Sequence, residues 1–249
     1  MIRNSIFLLL ACVISVSTWA SDEPKLVSVG IAKSFVPVGF DDNDRVQIGI
    51  EGAFADTCFT ISATGTTVNE EAKTITLLQS AYHRTGLLCS QLPIPFHQTV
   101  NVGVLTAGTY TLKDGVSGRT LGELPVVRAV RPGPDDYIYA PVRDASVQTD
   151  GFGGAKLVLE GSFPNTCFFW RDIQVRYYGN VIVALPIVDI RRCENDRCIC
   201  KTEDVPFEKE VTLNVSQPGS HFLHVRSING QAINKMVKVR FDDPIDPRG

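Results

Sequence analysis

The sequence predicts an all-β protein made of two tandem sandwich modules, and three observations carry that prediction. The stretch EGAFADTCF at residues 51–59 returns as EGSFPNTCF at residues 160–168. Short segments rich in Val, Ile and Thr, many alternating apolar with polar, are separated by Gly, Asp and Asn clusters, which is the period-two pattern of half-buried strands. No segment carries a sustained 3.6-residue apolar stripe with helix caps.

The first twenty residues, MIRNSIFLLLACVISVSTWA, join one positive charge at Arg3 to an apolar run from Ile6 to Val16, with Thr18 and Ala20 at small-residue positions before Ser21. That is the layout of a secretory signal peptide removed on export. The run is interrupted by Ser15, Ser17 and Thr18 and falls short of the roughly 20 apolar residues of a membrane span, so no transmembrane segment is expected. Leu9-Leu10-Ala11-Cys12 resembles a bacterial lipobox and keeps lipid anchoring at Cys12 as the minor alternative. Cleavage before Ser21 leaves about 229 residues, comfortable for two modules. The expected organisation is a first sandwich over 21–130, a linker over 131–136 inside AVRPGPDDY, and a second sandwich over 137–249 ending in a frayed DDPIDPRG tail.

In the first module the predicted strands are KLVSVGI, RVQIGIEG, TITLLQS, QTVNVGVL, TYTLKDG and LPVVRAV. In the second they are YIYAPV, AKLVLEG, FFWRDIQVRYY, NVIVALPIVDI, KEVTLNV, HFLHVRS and NKMVKVRF. Alternation places Val46, Ile48 and Ile50 on one face of their strand and Gln47, Gly49 and Glu51 on the other. The repeat extends well beyond its opening motif. Gly52, Phe54, Thr57, Cys58 and Phe59 answer to Gly161, Phe163, Thr166, Cys167 and Phe168, and Cys89 with Pro95-Phe96 answers to Cys200 with Pro206-Phe207. Val100, Val102 and Gly108 then answer to Val211, Leu213 and Gly219, so the chain reads as an internal duplication.

Duplication also selects a cysteine pairing. Export leaves Cys58, Cys89, Cys167, Cys193, Cys198 and Cys200. Cys58 and Cys89 are alone in the first module and should pair, their equivalents Cys167 and Cys200 should pair, and Cys193 with Cys198 would close a small loop around ENDR. Each longer bridge closes a loop of about 32 residues, worth on the order of 3 to 4 kcal/mol in the chain-entropy description, and such bonds persist in an oxidising compartment.

Composition argues against several functions. Without Arg3 the chain holds 23 basic and 27 acidic residues, with no Lys/Arg run that would bind nucleic acid. CENDRCIC, with His221 and His224 in the same module, is the nearest approach to a zinc site. Disulfides account for its three cysteines, and histidines three apart on a strand point to opposite faces. His83 and His97 lie outside any nucleophile context, GxSxG, HExxH and P-loop motifs are absent, and no helix is expected after the GFGG of 151–154. Adjacent acids at Asp41-Asp42, Asp135-Asp136 and Asp242-Asp243 read as hydrated loop residues. No catalytic residue, metal ligand or cofactor is assigned.

A binding surface is marked by divergence between the modules. The second replaces Thr60 by Phe169 and adds Trp170, Arg171, Arg176, Tyr177 and Tyr178 along one segment. Phe168 and Trp170 should face the core, leaving Phe169 and Arg171 outward with Arg176 and Tyr178 near the strand end. These four are the candidate partner contacts, since exposed aromatics beside arginines favour contact surfaces; the competing reading is that the face packs on the other module or the linker. Asn214-Val215-Ser216 is a glycosylation sequon, without meaning in a bacterial source.

The pattern F-x-[DN]-T-C-F, then C followed by P-F, then G-[TS]-[YH], resembles tandem immunoglobulin-like modules of exported bacterial proteins. It lacks the antibody-type Trp between the cysteines of the first module. The resemblance implies recognition through strand edges and end loops rather than catalysis. The expected function is that of a periplasmic or secreted interaction protein of the cell envelope, binding a protein or glycan. An inhibitor that inserts the Cys193–Cys198 loop into an exported hydrolase, and a periplasmic assembly chaperone, are the alternatives.

Overall fold

The structure, a computed structural model, describes residues 23–133, 135–149, 154–191 and 199–240. The predicted signal peptide, Cys12, most of the GFGG turn, the Cys193–Cys198 bridge and the C-terminal tail therefore lie outside the described residues. The first half holds β1 (Lys25–Val29), β2 (Lys33–Phe35), β3 (Phe40–Asp41), β4 (Val46–Phe54), β5 (Phe59–Asn69), β6 (Thr74–His83), β7 (Ile94–Gly103), β8 (Gly108–Asp114) and β9 (Thr120–Val127). The second holds β10 (Val142–Thr149), β11 (Ala155–Phe163), β12 (Phe168–Tyr178), β13 (Val181–Ile190), β14 (Val205–Leu213), β15 (Gly219–Ser227) and β16 (Gln231–Val239). One short 3₁₀ turn, Ile228–Gly230, joins the last two strands.

The halves repeat one topology. In the first, a sheet ordered β1-β6-β8-β9-β3, with β5 on the other side of β6, faces a sheet ordered β2-β4-β7. In the second, β12-β13-β15-β16 faces β10-β11-β14. Most neighbours are antiparallel, yet β6–β8 and β13–β15 are both parallel, with Thr74 opposite Thr111 and Val181 opposite Phe222. Each half has its own core. Val46, Ile48, Ile50 and Val100 from one sheet meet Ile75, Leu77, Tyr110, Leu112 and Leu124 from the other, and Leu157, Leu159, Ile182, Ala184, Leu223 and Val225 form the counterpart. The inward face expected for Val46, Ile48 and Ile50 is the one observed.

The duplicated motif residues build the same local structure twice. Gly52 lies directly opposite Phe96, and Gly161 opposite Phe207. A Cβ on either glycine would fall 2.4 Å from the facing ring, so the aromatic ring occupies the space a side chain would need. Asp56 and Asn165 each accept the backbone N–H of the cysteine two residues on, at 2.8 and 2.9 Å. Thr57 and Thr166 each exchange bonds with the segment that brings in the second cysteine: Thr57 Oγ1 accepts from Ser90 N at 3.0 Å and Thr166 Oγ1 from Lys201 N at 3.1 Å. Those bonds set two backbones side by side, and Cys58–Cys89 and Cys167–Cys200 bridge them at Cα separations of 5.6 and 5.3 Å.

Several features depart from the sequence reading, and Asp41, read as a hydrated loop acid, is instead 5 % exposed in β3, where it accepts the Asn43 N–H. β5 was not among the expected strands, because its SATGTT stretch lacks an apolar run and a register shift between Ile61 and Thr64 breaks its alternation. The expected linker also contains a buried anchor. Asp135 accepts the Gly230 N–H at 2.9 Å and approaches Arg226 at 3.4 Å, which corrects its reading as a hydrated loop carboxylate.

That anchor belongs to a seam between the modules. The outward face of β2-β4-β7 packs on the outward face of β12-β13-β15-β16. Phe35 stacks on Phe222 at 5.8 Å among Val183, Leu185 and Ile187, and a Cβ on Gly49 would fall 2.6 Å from the Phe222 ring. Next to this apolar contact, Arg226 donates to both Asp44 oxygens at 2.8 Å and to Gly39 O at 3.0 Å, and covers the Phe40 ring at 4.7 Å. Asn234 Nδ2 donates to Gln47 Oε1 at 2.6 Å, and Gln47 Nε2 to Asn101 Oδ1 at 2.6 Å.

Candidate interaction surface

The four histidines are taken up by local contacts that differ from one another. His83 stacks on Phe59 at 4.2 Å with Asp56 3.8 Å from its Nε2, and His97 faces Glu51 at 3.4 Å. His221 and His224 are buried on β15 and point to opposite faces, as their spacing requires. His224 sits in the seam, where its Nδ1 meets Asn234 Oδ1 at 2.7 Å; burial first, and the Arg226 charge second, push its pKa down to about 4. Desolvation pushes the Asp135 carboxyl up to about 6, and Tyr139 beside it up to about 12. Asp56, Cys58 and Cys89 converge within 4.8 Å, but the two sulfurs are joined to each other and offer no thiolate to a cation.

The candidate contacts on β12 divide into two groups. Because β12 is an edge strand, its outer side pairs with no other strand among the described residues. Its inward side chains Phe168, Trp170, Ile173, Val175 and Tyr177 pack on the second core and hold the strand in place. Phe169 and Arg171 point away from that core. Phe169 lies opposite Asp189, and a register shift between Trp170 and Asp172 sets Arg171 on a bulge with Nη1 3.8 Å from Asp189. Arg176 and Tyr178 lie opposite Val183 and Val181 at the far end, about 16 to 30 Å along the strand from the first two. Arg176 contacts Gln174 at 3.2 Å, and Tyr178 is exposed.

Phe169 is joined by two residues that sequence reasoning did not place beside it. Ile138, Phe169, Asp189, Ile190 and Arg191 line a shallow cleft of about 710 Å³. Ile138 reaches it because Val188 N donates to Ile138 O at 2.9 Å, laying the segment after the linker along β13. The three apolar side chains stay 44, 45 and 42 % exposed (Ile138, Phe169 and Ile190), so neither module nor linker covers them. The competing reading, in which this face is packed away, holds for Val183, Leu185 and Ile187 of β13 and not for Phe169. The available signal was the apolar run IYAPV read against β1, whose place beside β6 this segment takes beside β13.

No helix among the described residues is long and apolar enough to cross a membrane. The family model of the ORF11 beta-sandwich domain matches residues 48–116 and 157–239, which are β4–β8 and β11–β16 with their two bridges. No curated protein and no solved structure matches the chain.

Proposed function

The chain belongs to the ORF11 beta-sandwich domain family, and on that premise we propose that it is an exported, non-catalytic interaction protein of the cell envelope that binds a protein or glycan partner through its sandwich surfaces. The observation that carries this reading is the cleft at one end of β12. Ile138, Phe169 and Ile190 stay close to half exposed there, flanked by Arg171 and Arg191, on a strand anchored from behind by the core. A rigid apolar patch rimmed by charge suits a contact surface, because little ordering entropy remains to be lost on binding. Export is supported by two disulfide bridges at equivalent places, bonds that persist outside reducing compartments. A binding rather than a catalytic role is supported by the motif residues of the duplication, which are spent on strand pairing and bridge geometry.

The test is cross-linking of the tagged protein in its native envelope, followed by quantification of the captured partner for wild type and for Phe169→Ala/Arg171→Ala. The double variant should lose at least about tenfold of the captured partner, while its stability stays within about 0.5 kcal/mol, as expected of surface substitutions. Equal capture, or a collapse of stability, would remove the cleft from this role.

A further inference from the structure

The corner where the chain enters β8 and β15 is built from equivalent positions in the two modules, and it is closed in one and open in the other. In the first module Tyr110 is fully buried and donates its hydroxyl to Thr106 O at 2.9 Å, the tyrosine-to-upstream-backbone bond found at corners of sandwich folds. Lys73 Nζ lies 3.0 Å from that hydroxyl and 4.7 Å over the ring. Glu70 accepts from Thr106 Oγ1 at 2.5 Å and shares with Thr106 O the single hydrogen of the Tyr110 hydroxyl, and these bonds hold its carboxyl down to about 2. The corner is thus filled by a phenol and an ion pair, with its polar groups bonded to one another.

In the second module His221 stands two residues after Gly219 as Tyr110 stands after Gly108, and an imidazole does not extend as far as a phenol. The turn joining β12 to β13 is Gly179-Asn180, two residues where the first module has four, so the acid and the lysine have no counterpart. What remains is a cavity of about 330 Å³ lined chiefly by Tyr177, Asn180, Asn214, Ser216, Gln217 and His221, at the lower end of the range for small-molecule sites.

Its lining carries no acid, lysine or arginine. His221 is only 4 % exposed, and its Nδ1 lies 3.2 Å from Gly219 O. A carbonyl can only accept, so Nδ1 carries a proton, and in the Nδ1–H tautomer Nε2 presents a lone pair. That Nε2 has no partner among the described residues, and His221 lines the cavity. Tyr177 Oη accepts the Asn214 N–H at 2.8 Å and keeps its own hydrogen to donate, whereas Asn180 Nδ2 donates to Ser220 O at 3.0 Å and leaves its carbonyl oxygen free to accept. The side chains of Asn214, Ser216 and Gln217 bond to nothing else among the described residues. The hollow thus combines free donors and free acceptors, with no acid, lysine or arginine, beside one aromatic ring. Vicinal hydroxyls, each able to donate and to accept, match that array; a charged ligand would find no counter-ion, and an apolar one would strand the polar groups.

We propose that this corner of the second module is a binding site for one ring of a neutral saccharide. His221 Nε2 and Asn180 Oδ1 accept from its hydroxyls, while Tyr177 and Asn214 donate. The site stands apart from the Phe169 cleft and does not rest on it.

Saturation-transfer NMR of the purified protein with the methyl glycosides of glucose, galactose, mannose and N-acetylglucosamine tests the proposal. At least one glycoside should receive saturation from the wild type. Asn214→Ala, which breaks no side-chain bond within the protein, should weaken that binding by about tenfold, the worth of one well-placed hydrogen bond. His221→Tyr, which copies the first module, should abolish it. Phe169→Ala should leave it unchanged, which separates failure of this site from failure of the cleft. No transfer from any of the four, or affinity unaltered in Asn214→Ala, overturns the proposal even if His221→Tyr fails to fold.

Discussion

Burial in the seam pushes Asp135 and His224 in opposite directions around the same guanidinium, and the two should oppose each other in the pH dependence of stability. Asp135 titrates near 6 in the fold against 3.8 in an unfolded chain. Between those values the fold binds the proton more tightly, so stability rises as pH falls from 6 to 4. His224 titrates near 4 against 6.5. Over nearly the same window the unfolded chain takes the proton that the fold refuses, so its contribution to stability is lost as pH falls. Each shift corresponds to roughly 3 kcal/mol. Melting temperatures between pH 4 and 7 should therefore climb on acidification in His224→Gln, fall in Asp135→Asn, and lie between the two in the wild type. Parallel profiles for all three proteins would refute the opposition. None of this was legible in the sequence, where Asp135 is one of several loop acids and His224 part of HFLH; only the seam makes them neighbours. The environment of His224 fits its neutral form, because Nδ1–H has Asn234 as acceptor and the buried, unpartnered Nε2 is a bare lone pair rather than an orphaned donor.

The element most legible in advance was the pair of strands carrying each glycine and its facing aromatic. EG followed by the distant PF predicts two strands that recur, and the pairing of Gly52 with Phe96 and Gly161 with Phe207 gives the recurrence its physical cause. β5 was hidden because Ser62, Ala63, Thr64 and Gly65 give no apolar alternation, although its counterpart β12 was read at once from FFWRDIQVRYY. Transferring β12 onto the first module through the repeat would have recovered it. The two glycines are not equally constrained. A Cβ at Gly52 would meet the Phe96 ring at 2.4 Å and backbone oxygen Gly30 O at 2.9 Å, while at Gly161 it would also meet Pro141 O at 2.3 Å. A ring can tilt, but a backbone carbonyl is relieved only by moving the chain. Gly52→Ala should cost about 1 to 2 kcal/mol and Gly161→Ala about 3 kcal/mol or more, as overpacking does in tight cores. Chemical denaturation of the two variants checks the order, and equal losses would show that the Pro141 carbonyl yields.

At the scale of the whole molecule, the two modules form one stack that its own chemistry ends. The face of β13 and β15 buried in the seam presents Val183, Leu185, Ile187 and Phe222; the matching positions on β6 and β8 are Thr76, Leu78, Ser80 and Thr111. At the other end, the positions of Gln47, Glu51, His97 and Thr99 are held by Lys156, Glu160, Glu208 and Glu210, with Lys156 and Glu210 paired at 2.9 Å. Neither outer face thus offers the apolar patch that β13 and β15 bring to the seam: β6 and β8 keep only Leu78 of it, and the far sheet of the second module is charged, as in the end units of a repeat array. A signal for the seam did exist: NVIVALPIV does not alternate, and a strand apolar on both sides is one buried on both sides. It did not reveal the other half of the contact, since Asp44, Gln47 and Gly49 look like ordinary outward residues until Arg226, Asn234 and Phe222 cover them. A seam of this kind should make the modules unfold together. Calorimetry of the wild type should give a single transition, and Arg226→Ala, by leaving Asp44 and Asp135 buried without their cation, should remove about 3 to 5 kcal/mol and split it into two. Adding Asp44→Ala should restore part of the loss, because the penalty comes from the stranded carboxylate rather than from the missing guanidinium. If Arg226→Ala melts in one transition within about 1 kcal/mol of the wild type, the ionic junction contributes nothing to holding the modules together, and the stacked Phe35 and Phe222 rings with Gly49 beneath them would carry the seam alone.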